Sequence, residues 1–513
     1  MELNGALQPS GGLAIFGNDD GYAIGPEEVV FPAVEHFRDA IQQECGLTLR
    51  LSKCLVYTQS GELPAQAPAG MKRAGIEEEG GTWLPGFRCY GVYIGSDRYV
   101  RNMLAKEATR ICQEIDKVMH LLRKDSQAAW IILSSAMAHQ LDYSLTLQYP
   151  SDMLECATRV DARLWAALEQ LAGQHRIPRG EEGGEVECVL DLSMVPSLNG
   201  CSYQRLLAGQ PVKLGGLGLR SLVETRYPAF IGGLEQAIPY LVASDQCEAP
   251  LAPSLRAMMG NMAGNERWAE MLGAGSRTAA EFRDGWSSLA EEACNIFEYI
   301  GEEPSGTLSD ALEAVGRDSV DGSTRIKIVQ QREVLRHKML SKALAEHPNK
   351  DARPVTAYQN VADDKCAGSW LLAIPNRDNC LSSPIFKEAI SSHLCLPSPA
   401  LREGGWVGQP VGSRGEVVDK FGDNVSAPKR FLETPGDIGM TRLRWPFTGK
   451  PVCPRCQPAA KFTGSSETSC LLLFWRREVS FNGAGPGKAK SPSSDFFFQP
   501  QRVPNLASRS LRL

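Results

Sequence analysis

Two adjacent carboxylates, Asp19 and Asp20, are the residues of this sequence whose type and spacing point most directly to chemistry. They lie at the tip between two short apolar runs, residues 13–16 and 22–24, among Gly and Asn. This pattern predicts a β-hairpin, because Asp, Asn and Gly tolerate the positive φ angles of tight turns. Mg²⁺ binds carboxylate oxygens and keeps its other positions for water and phosphate, and paired metal ions of this kind promote in-line displacement at phosphorus. The alternative is that the two aspartates only favour the turn.

Four motifs, in the same order along the chain, resemble those of the reverse transcriptases of non-LTR retrotransposons. Residues 19–25, Asp-Asp-Gly-Tyr-Ala-Ile-Gly, resemble the metal-binding hairpin. Residues 46–57 resemble the next palm motif, with Lys53 in the position of the family's lysine. Residues 87–95 resemble the primer-grip hairpin, and residues 210–219 resemble the glycine-rich segment that follows the thumb.

The resemblance implies template-directed DNA synthesis, in which a primer 3′-hydroxyl attacks the α-phosphate of a nucleotide. In that reaction Asp19 and Asp20 are the catalytic residues and hold Mg²⁺ or Mn²⁺. Lys53, Tyr90 and Gly91 are the positions that it places against the substrate. The implied partners are an RNA template and a DNA primer, with no small-molecule cofactor.

Two departures from the family pattern predict that this chain has no polymerase activity. A third metal-binding carboxylate and the fingers lie upstream of the hairpin in the family, whereas only eighteen residues precede Asp19 here and Glu2 is their one acidic residue. The family has one small residue between an aromatic residue and the two aspartates, whereas both Gly17 and Asn18 follow Phe16. A slip of one residue moves every side chain to the other face of a strand, so either the carboxylates shift or a bulge absorbs the extra residue.

We therefore expect an N-terminally truncated reverse-transcriptase-like protein with a partial palm. Two alternatives remain open. One is a working RNA-directed DNA polymerase whose missing parts come from another chain. The other is a non-enzymatic nucleic-acid-binding or scaffolding protein.

The predicted fold class is α+β, with a small antiparallel palm remnant, a mainly helical thumb and C-terminal region, and a disordered tail. The predicted domains are a partial palm at 1–96, a helical thumb-like domain at 97–177, a helical connection region at 178–350, a C-terminal extension at 351–425 and a basic tail at 426–513.

Within the palm region, apolar spacing predicts a helix that begins after Pro26 and ends at a Gly46 cap. A strand is predicted at 47–57 and an exposed excursion at 59–82. Three amphipathic helices follow, at about 99–122, 126–147 and 151–171, and Ser151 is the expected N-cap of the third. Their predicted core consists of Trp130, Met137, Leu141, Leu145, Leu154, Val160, Leu164, Trp165 and Leu168.

Further along the chain, the glycines of 210–219 lack the spacing of a phosphate-binding loop and indicate close backbone packing instead. Prolines 239, 250 and 253 are expected to break the helices of 222–300. A basic helix at 324–346 could lie along a phosphate backbone or could be an ordinary solvated face. Its candidate nucleic-acid-binding residues are Arg325, Lys327, Arg332, Arg336 and Lys338.

The tail has 14 Lys or Arg against 5 Asp or Glu, which gives it a net charge of +9. Because the net charge of the whole chain is −6, residues 1–425 have a net charge of −15. This composition predicts disorder or out-of-frame sequence, with a basic charge that could bind nucleic acid non-specifically. Cys453 and Cys456 have a zinc-ligand spacing, but only Cys470 follows them and a structural site needs four ligands. The absence of a long apolar run and of a secretory signal predicts an intracellular protein, nuclear or cytoplasmic, without a membrane span. Its fifteen cysteines are then expected to be reduced thiols.

Overall fold

The computed structural model describes residues 12–17, 20–173, 190–195, 200–243, 277–301, 323–347, 368–375, 380–411 and 416–422, with positions 7, 198, 353–355 and 357–358. The chain divides into two units, Met1–Thr441 and Arg442–Leu513, and the second lies wholly outside the described residues. The predictions for the tail and for its cysteines therefore also lie outside them.

The described part is a mixed α+β structure in which helices predominate and the sheets are small. The strands are β1 (Leu13–Gly17), β2 (Asp20–Ile24), β3 (Leu55–Val56), β4 (Lys72–Arg73), β5 (Gly75–Glu77), β6 (Trp83–Cys89), β7 (Val92–Gly95), β8 (Pro410–Val411) and β9 (Glu416–Val417). The longer helices are α1 (Glu27–Cys45), α2 (Asp97–Met119), α3 (Ser126–Ser135), α4 (Asp142–Leu147), α5 (Pro150–Leu171), α6 (Tyr203–Gly209), α7 (Leu222–Ala243), α8 (Arg277–Ile300), α9 (Ser323–Ala345), α10 (Ser383–His393) and α11 (Pro399–Glu403).

The first hairpin and the helix after it form where the sequence predicts them. β1 and β2 pair antiparallel in a continuous register from Leu13 opposite Ile24 to Gly17 opposite Asp20. α1 ends at Gly46, whose φ of 66° is the left-handed conformation that glycine adopts without a steric penalty. A small cluster that includes the buried Ala33 joins this helix to the hairpin.

The predicted strand at 47–57 is wrong over most of its length. The chain forms a single 3₁₀ turn at Leu51–Lys53 and then the two-residue strand β3, which pairs parallel with β4. β4 and β5 lie inside the region predicted as an excursion, and β5, β6 and β7 form an antiparallel three-stranded sheet. One face of that sheet packs on α2, because Leu84 is buried and a side chain at Gly86 would overlap the Tyr99 ring.

The main core extends from Leu84 to Leu396 and includes side chains of α2, α3, α5, α7, α8, α9 and α10. α2 and α5 lie close to their predicted positions, whereas the predicted second helix is divided into α3, a 3₁₀ turn at Met137–His139 and α4. Seven of the nine predicted core residues are buried, Met137 is partly buried, and Leu154 is wrong because it is 43% exposed.

Two other local predictions are wrong. Tyr149, rather than Ser151, is the N-cap of α5, because Pro150 takes the first helical position, where its missing N–H costs nothing. The Ser151 hydroxyl instead donates to Glu281 on α8. α7 continues through Pro239, while Pro250 and Pro253 lie outside the described residues.

The prediction of close packing at 210–219 is confirmed. A Cβ at Gly216 would overlap the backbone carbonyl of Gln210. Gly215 and Gly218 both have positive φ, 84° and 76°, and the Gly218 N–H donates to the Gln210 carbonyl at 2.7 Å. The glycines thus let a tight loop close on itself between α6 and α7.

Candidate functional site

In the first hairpin Gly17 pairs with Asp20. Asn18 and Asp19, which lie between these two residues in the sequence, are outside the described residues. The backbone of Asp20 begins β2, but its side chain is not described. The described pairing, from Leu13 opposite Ile24 to Gly17 opposite Asp20, contains no bulge, so these two strands do not absorb the extra residue before the aspartates.

The turn of the second hairpin, at Tyr90 and Gly91, connects β6 to β7. Their φ angles are 45° and 87°, and positive φ at both central residues is the requirement of a type I′ turn. Glycine satisfies it without cost, whereas tyrosine rarely adopts this conformation. The turn therefore presents an aromatic side chain, 40% exposed, on a strained backbone.

The two hairpins meet at their aromatic residues. The rings of Tyr22, on β2, and Tyr90 lie 5.2 Å apart at an interplanar angle of 52°, within the range of favourable aromatic contacts. Tyr22 is two residues beyond Asp20 on the same strand. The contact therefore connects the strand that carries a predicted metal ligand to the turn that carries two predicted substrate-binding residues.

Helix α4 holds this junction from the other side. The Tyr143 hydroxyl donates to the Tyr90 carbonyl at 2.7 Å, and the Gln148 side-chain amide donates to the Tyr93 carbonyl at 3.0 Å. A Cβ at Gly91 would lie 3.2 Å from the Tyr143 ring, so the turn needs a glycine there. We call Tyr22, Tyr90, Gly91 and Tyr143 the hairpin junction.

The described neighbours of the hairpin junction do not fit a two-metal site. They are phenols, a side-chain amide, backbone carbonyls and the Arg88 guanidinium, whereas paired Mg²⁺ ions require carboxylates. Asp142 is next to Tyr143 in the sequence, but its carboxylate lies 3.1 Å from His139 Nδ1. Among the side chains that the structure describes, which exclude those of Asp19 and Asp20, no group of three His, Cys, Asp or Glu could hold a metal ion.

Lys53 is exposed at the end of its 3₁₀ turn. It is linked to the second hairpin through Tyr57, whose ring lies 5.2 Å from that of Phe87 on β6. No contact between Lys53 and the hairpin junction is found in the described part of the chain. A substrate-binding role for this lysine stays a prediction.

The basic helix is α9, and two of its candidate residues point into the protein. Arg332 and Arg336 are only 18% and 13% exposed, and both lie 2.6–2.7 Å from the Glu292 carboxylate of α8. Arg336 also pairs with Glu224 of α7. The description of this helix as an ordinary solvated face is therefore wrong for these two arginines, and in this structure their guanidinium groups are engaged with carboxylates of the same chain.

The other three candidate residues on α9 are Arg325, Lys327 and Lys338. Lys338 lies on the described part of the helix, whereas the side chains of Arg325 and Lys327 are not described. Their role in nucleic-acid binding stays a prediction.

The electrostatics of this network favour the charged forms of its carboxylates. Burial alone would raise the pKa of Glu224, but Arg336 and Arg332 outweigh it and lower the pKa to about 2. The pKa of Glu292 is also lowered, because the same two arginines overcome the effect of burial. The network therefore joins α7, α8 and α9 through charges that stay ionised at neutral pH.

Comparison with models of known protein families, with curated proteins and with solved structures found no match to this chain. Sequence reasoning identified Tyr90 and Gly91 but missed Tyr22 as a contact residue and Tyr143 altogether. Tyr22 lies within the quoted hairpin motif, so its position beside the aspartates was the available signal. Tyr143 has no local signal, because it meets Tyr90 across 53 residues.

Within the described residues, none of the helices combines the length and the apolar content that a bilayer crossing requires.

Proposed function

We propose that this chain is a reverse-transcriptase-like protein of the non-LTR retrotransposon type that binds a primed RNA template at the hairpin junction without extending the primer. The observation that carries the proposal is the contact between Tyr22 and Tyr90. A polymerase palm must bring a metal-binding hairpin and a primer-holding hairpin together, and here the two segments with those resemblances touch.

The absence of extension follows from the donor set. Nucleotidyl transfer by two metal ions needs several carboxylates around both ions, and the resemblance assigns only Asp19 and Asp20 of this sequence to that role. The described groups at the hairpin junction are phenols, a side-chain amide, backbone carbonyls and the Arg88 guanidinium, which supply no carboxylate oxygen.

The first test is primer extension on a primed RNA template with Mg²⁺ or Mn²⁺, comparing the wild type with Asp19→Asn/Asp20→Asn. We expect no extension by either protein and unchanged folding of the variant, since asparagine has the size of aspartate and also favours turns. Extension by the wild type alone would refute the inactive form of the proposal and would require a further carboxylate ligand.

The second test is binding of the primed template by the full chain. Tyr143→Phe removes the hydrogen bond to the Tyr90 carbonyl and keeps the ring, so we expect about three- to tenfold weaker binding, corresponding to one hydrogen bond. Tyr299→Phe on α8 is the matched control, because no hydrogen bond of its hydroxyl is found among the described residues. Equal effects of both substitutions, or no binding by the wild type, would contradict the proposal.

A further inference from the structure

Two residues of the segment 50–73, Tyr57 and Arg73, pack against the outer face of the three-stranded sheet β5–β6–β7. Along β6, Trp83, Pro85 and Phe87 point to this face, because alternate residues of a strand share a face and Leu84 is buried on the other side. The Tyr57 ring packs 5.2 Å from Phe87. The Arg73 guanidinium lies 3.9 Å from the centre of the Trp83 ring.

The segment 50–73 carries four cationic side chains. Lys72 and Arg73 form β4, which pairs with β3, and the Lys72 N–H donates to the Cys54 carbonyl at 3.2 Å. The neighbouring 3₁₀ turn contains Lys53, and Arg50 is its N-cap residue. All four side chains are exposed. We call Arg50, Lys53, Lys72, Arg73 and Tyr57 the basic edge.

Within the described part of the chain, no carboxylate forms an ion pair with a cation of the basic edge. None of the ion pairs found among the described residues includes Arg50, Lys53, Lys72 or Arg73. Glu77 lies opposite Trp83 in the sheet and so shares this face, but it forms no ion pair with Arg73 either. Residues 1–425 carry a net charge of −15, so four exposed cations within one short segment, without an ion pair to a described residue, are a local exception.

We propose that the basic edge binds single-stranded nucleic acid, through its cations to the phosphates and through Tyr57 to a base. Proteins bind single-stranded nucleic acids through cations that contact the phosphate backbone and through exposed aromatic rings. The rings accept any base, since every base has a face that stacks on an aromatic ring. Tyr57 is 39% exposed and rests on Phe87, so one side of its ring is supported by the protein. This surface does not include the hairpin junction, and the inference does not depend on the proposed function.

The test uses the full chain and a fluorescent oligouridylate of about 12 nucleotides, within the range of site sizes known for such surfaces. With four phosphate contacts, the logarithm of the binding constant should fall with the logarithm of salt concentration with a slope of about −3. Lys53→Ala/Lys72→Ala should reduce the slope to about −1.4 and weaken binding about tenfold or more at 0.1 M salt.

The matched control is Lys117→Ala/Lys124→Ala, which removes two exposed lysines outside the basic edge. It should leave the slope and the affinity unchanged. Tyr57→Ala should weaken binding about fivefold or more without altering the slope, and Tyr57→Phe should restore it, because stacking uses the ring and not the hydroxyl.

Three results would overturn the inference: no binding by the wild type, equal losses in the two double-lysine variants, or equal affinities of Tyr57→Ala and Tyr57→Phe. Vesicles of phosphatidylserine and phosphatidylcholine provide a further arm. If the wild type binds these vesicles, Lys53→Ala/Lys72→Ala binds them more weakly, and the oligonucleotide is not bound, then the basic edge is a membrane-binding surface instead. Tyr143→Phe should not affect the oligouridylate, so failure at the hairpin junction and failure here are distinguishable.

Discussion

Removal of Arg336 should destabilise the fold strongly. Its guanidinium is 13% exposed and lies between the Glu292 carboxylate, at 2.6 Å, and Glu224. Breaking a buried ion pair by deleting one partner costs about 3–5 kcal/mol, because the other charge stays buried without compensation. We expect the lower end, about 3 kcal/mol, for Arg336→Met, since Arg332 still lies 2.7 Å from Glu292 and relieves part of the imbalance.

The assay is urea unfolding of the full chain at pH 7, followed by circular dichroism. A second variant, Arg336→Met/Glu292→Met, separates loss of charge balance from loss of packing. This double variant leaves one cation, Arg332, with one anion, Glu224. It should recover about half or more of the free energy of unfolding that Arg336→Met loses, because uncharged replacements of a buried pair are often nearly neutral.

The matched control is Arg98→Ala. Arg98 pairs with Glu78, but its side chain is 67% exposed, and exposed pairs contribute about 0–1 kcal/mol. A loss below about 1 kcal/mol for Arg336→Met, or a double variant as unstable as the single one, would refute the reasoning. If Arg336 instead contacts phosphate, the single variant keeps its stability and loses only nucleic-acid affinity.

Three further predictions concern the scaffold. Because the pKa of Glu224 is lowered to about 2, its charge stabilises the folded state above its ordinary pKa, and thermal melting should show stability falling as the pH drops from about 4.5 towards 2. Gly86→Ala should lower the free energy of unfolding in urea by several kcal/mol, because its Cβ would overlap the Tyr99 ring. Gly80→Ala is the comparison, because Gly80 has a positive φ but no described atom near its Cβ position, so this variant reports backbone strain alone. Asp161 accepts hydrogen bonds from the Leu222 and Val223 N–H groups at the start of α7, so Asp161→Ala should lose about 2 kcal/mol and expose the α7 amides to hydrogen exchange first.

Local chemistry explains which elements could be predicted. The first hairpin follows from its turn residues, and α1 ends at Gly46 because glycine adopts the left-handed cap conformation. The second hairpin, β6–β7, lies in the segment that resembles a primer-grip hairpin, and its turn contains a glycine. In each case the deciding residues lie within one turn or one strand of each other.

The errors arise where distant residues decide the outcome. Residues 47–57 alternate like a strand, but within this segment only Leu55 and Val56 pair with another strand, and their partners Lys72 and Arg73 lie seventeen residues further along the chain. Ser151 has the composition of an N-cap, yet its hydroxyl is taken by Glu281, 130 residues away. The partial burial of Arg332 and Arg336 on α9 could not be predicted for the same reason, since the carboxylates that neutralise them are on α7 and α8.

The candidate site was predictable only as separate segments. The aspartates and the Tyr90–Gly91 turn are visible in the sequence because each belongs to a short motif. Their association depends on aromatic contacts and on α4, and a hydrogen bond between Tyr143 and Tyr90 has no periodicity or spacing that a sequence can reveal.

The conformation of Tyr90 is the strongest physical reason to regard the hairpin junction as more than a packing contact. A non-glycine residue at φ 45° costs of order 1 kcal/mol, and Asn or Gly in its place would form the same turn without that cost. The Tyr143 hydroxyl and the Tyr22 ring hold the strained residue in place. The strain brings a half-exposed phenol to the place where the two hairpins meet, and backbone strain of this kind is concentrated at ligand-binding positions. Tyr90→Asn should therefore leave the fold as stable or more stable while weakening binding of the primed template, a combination that a purely structural tyrosine would not give.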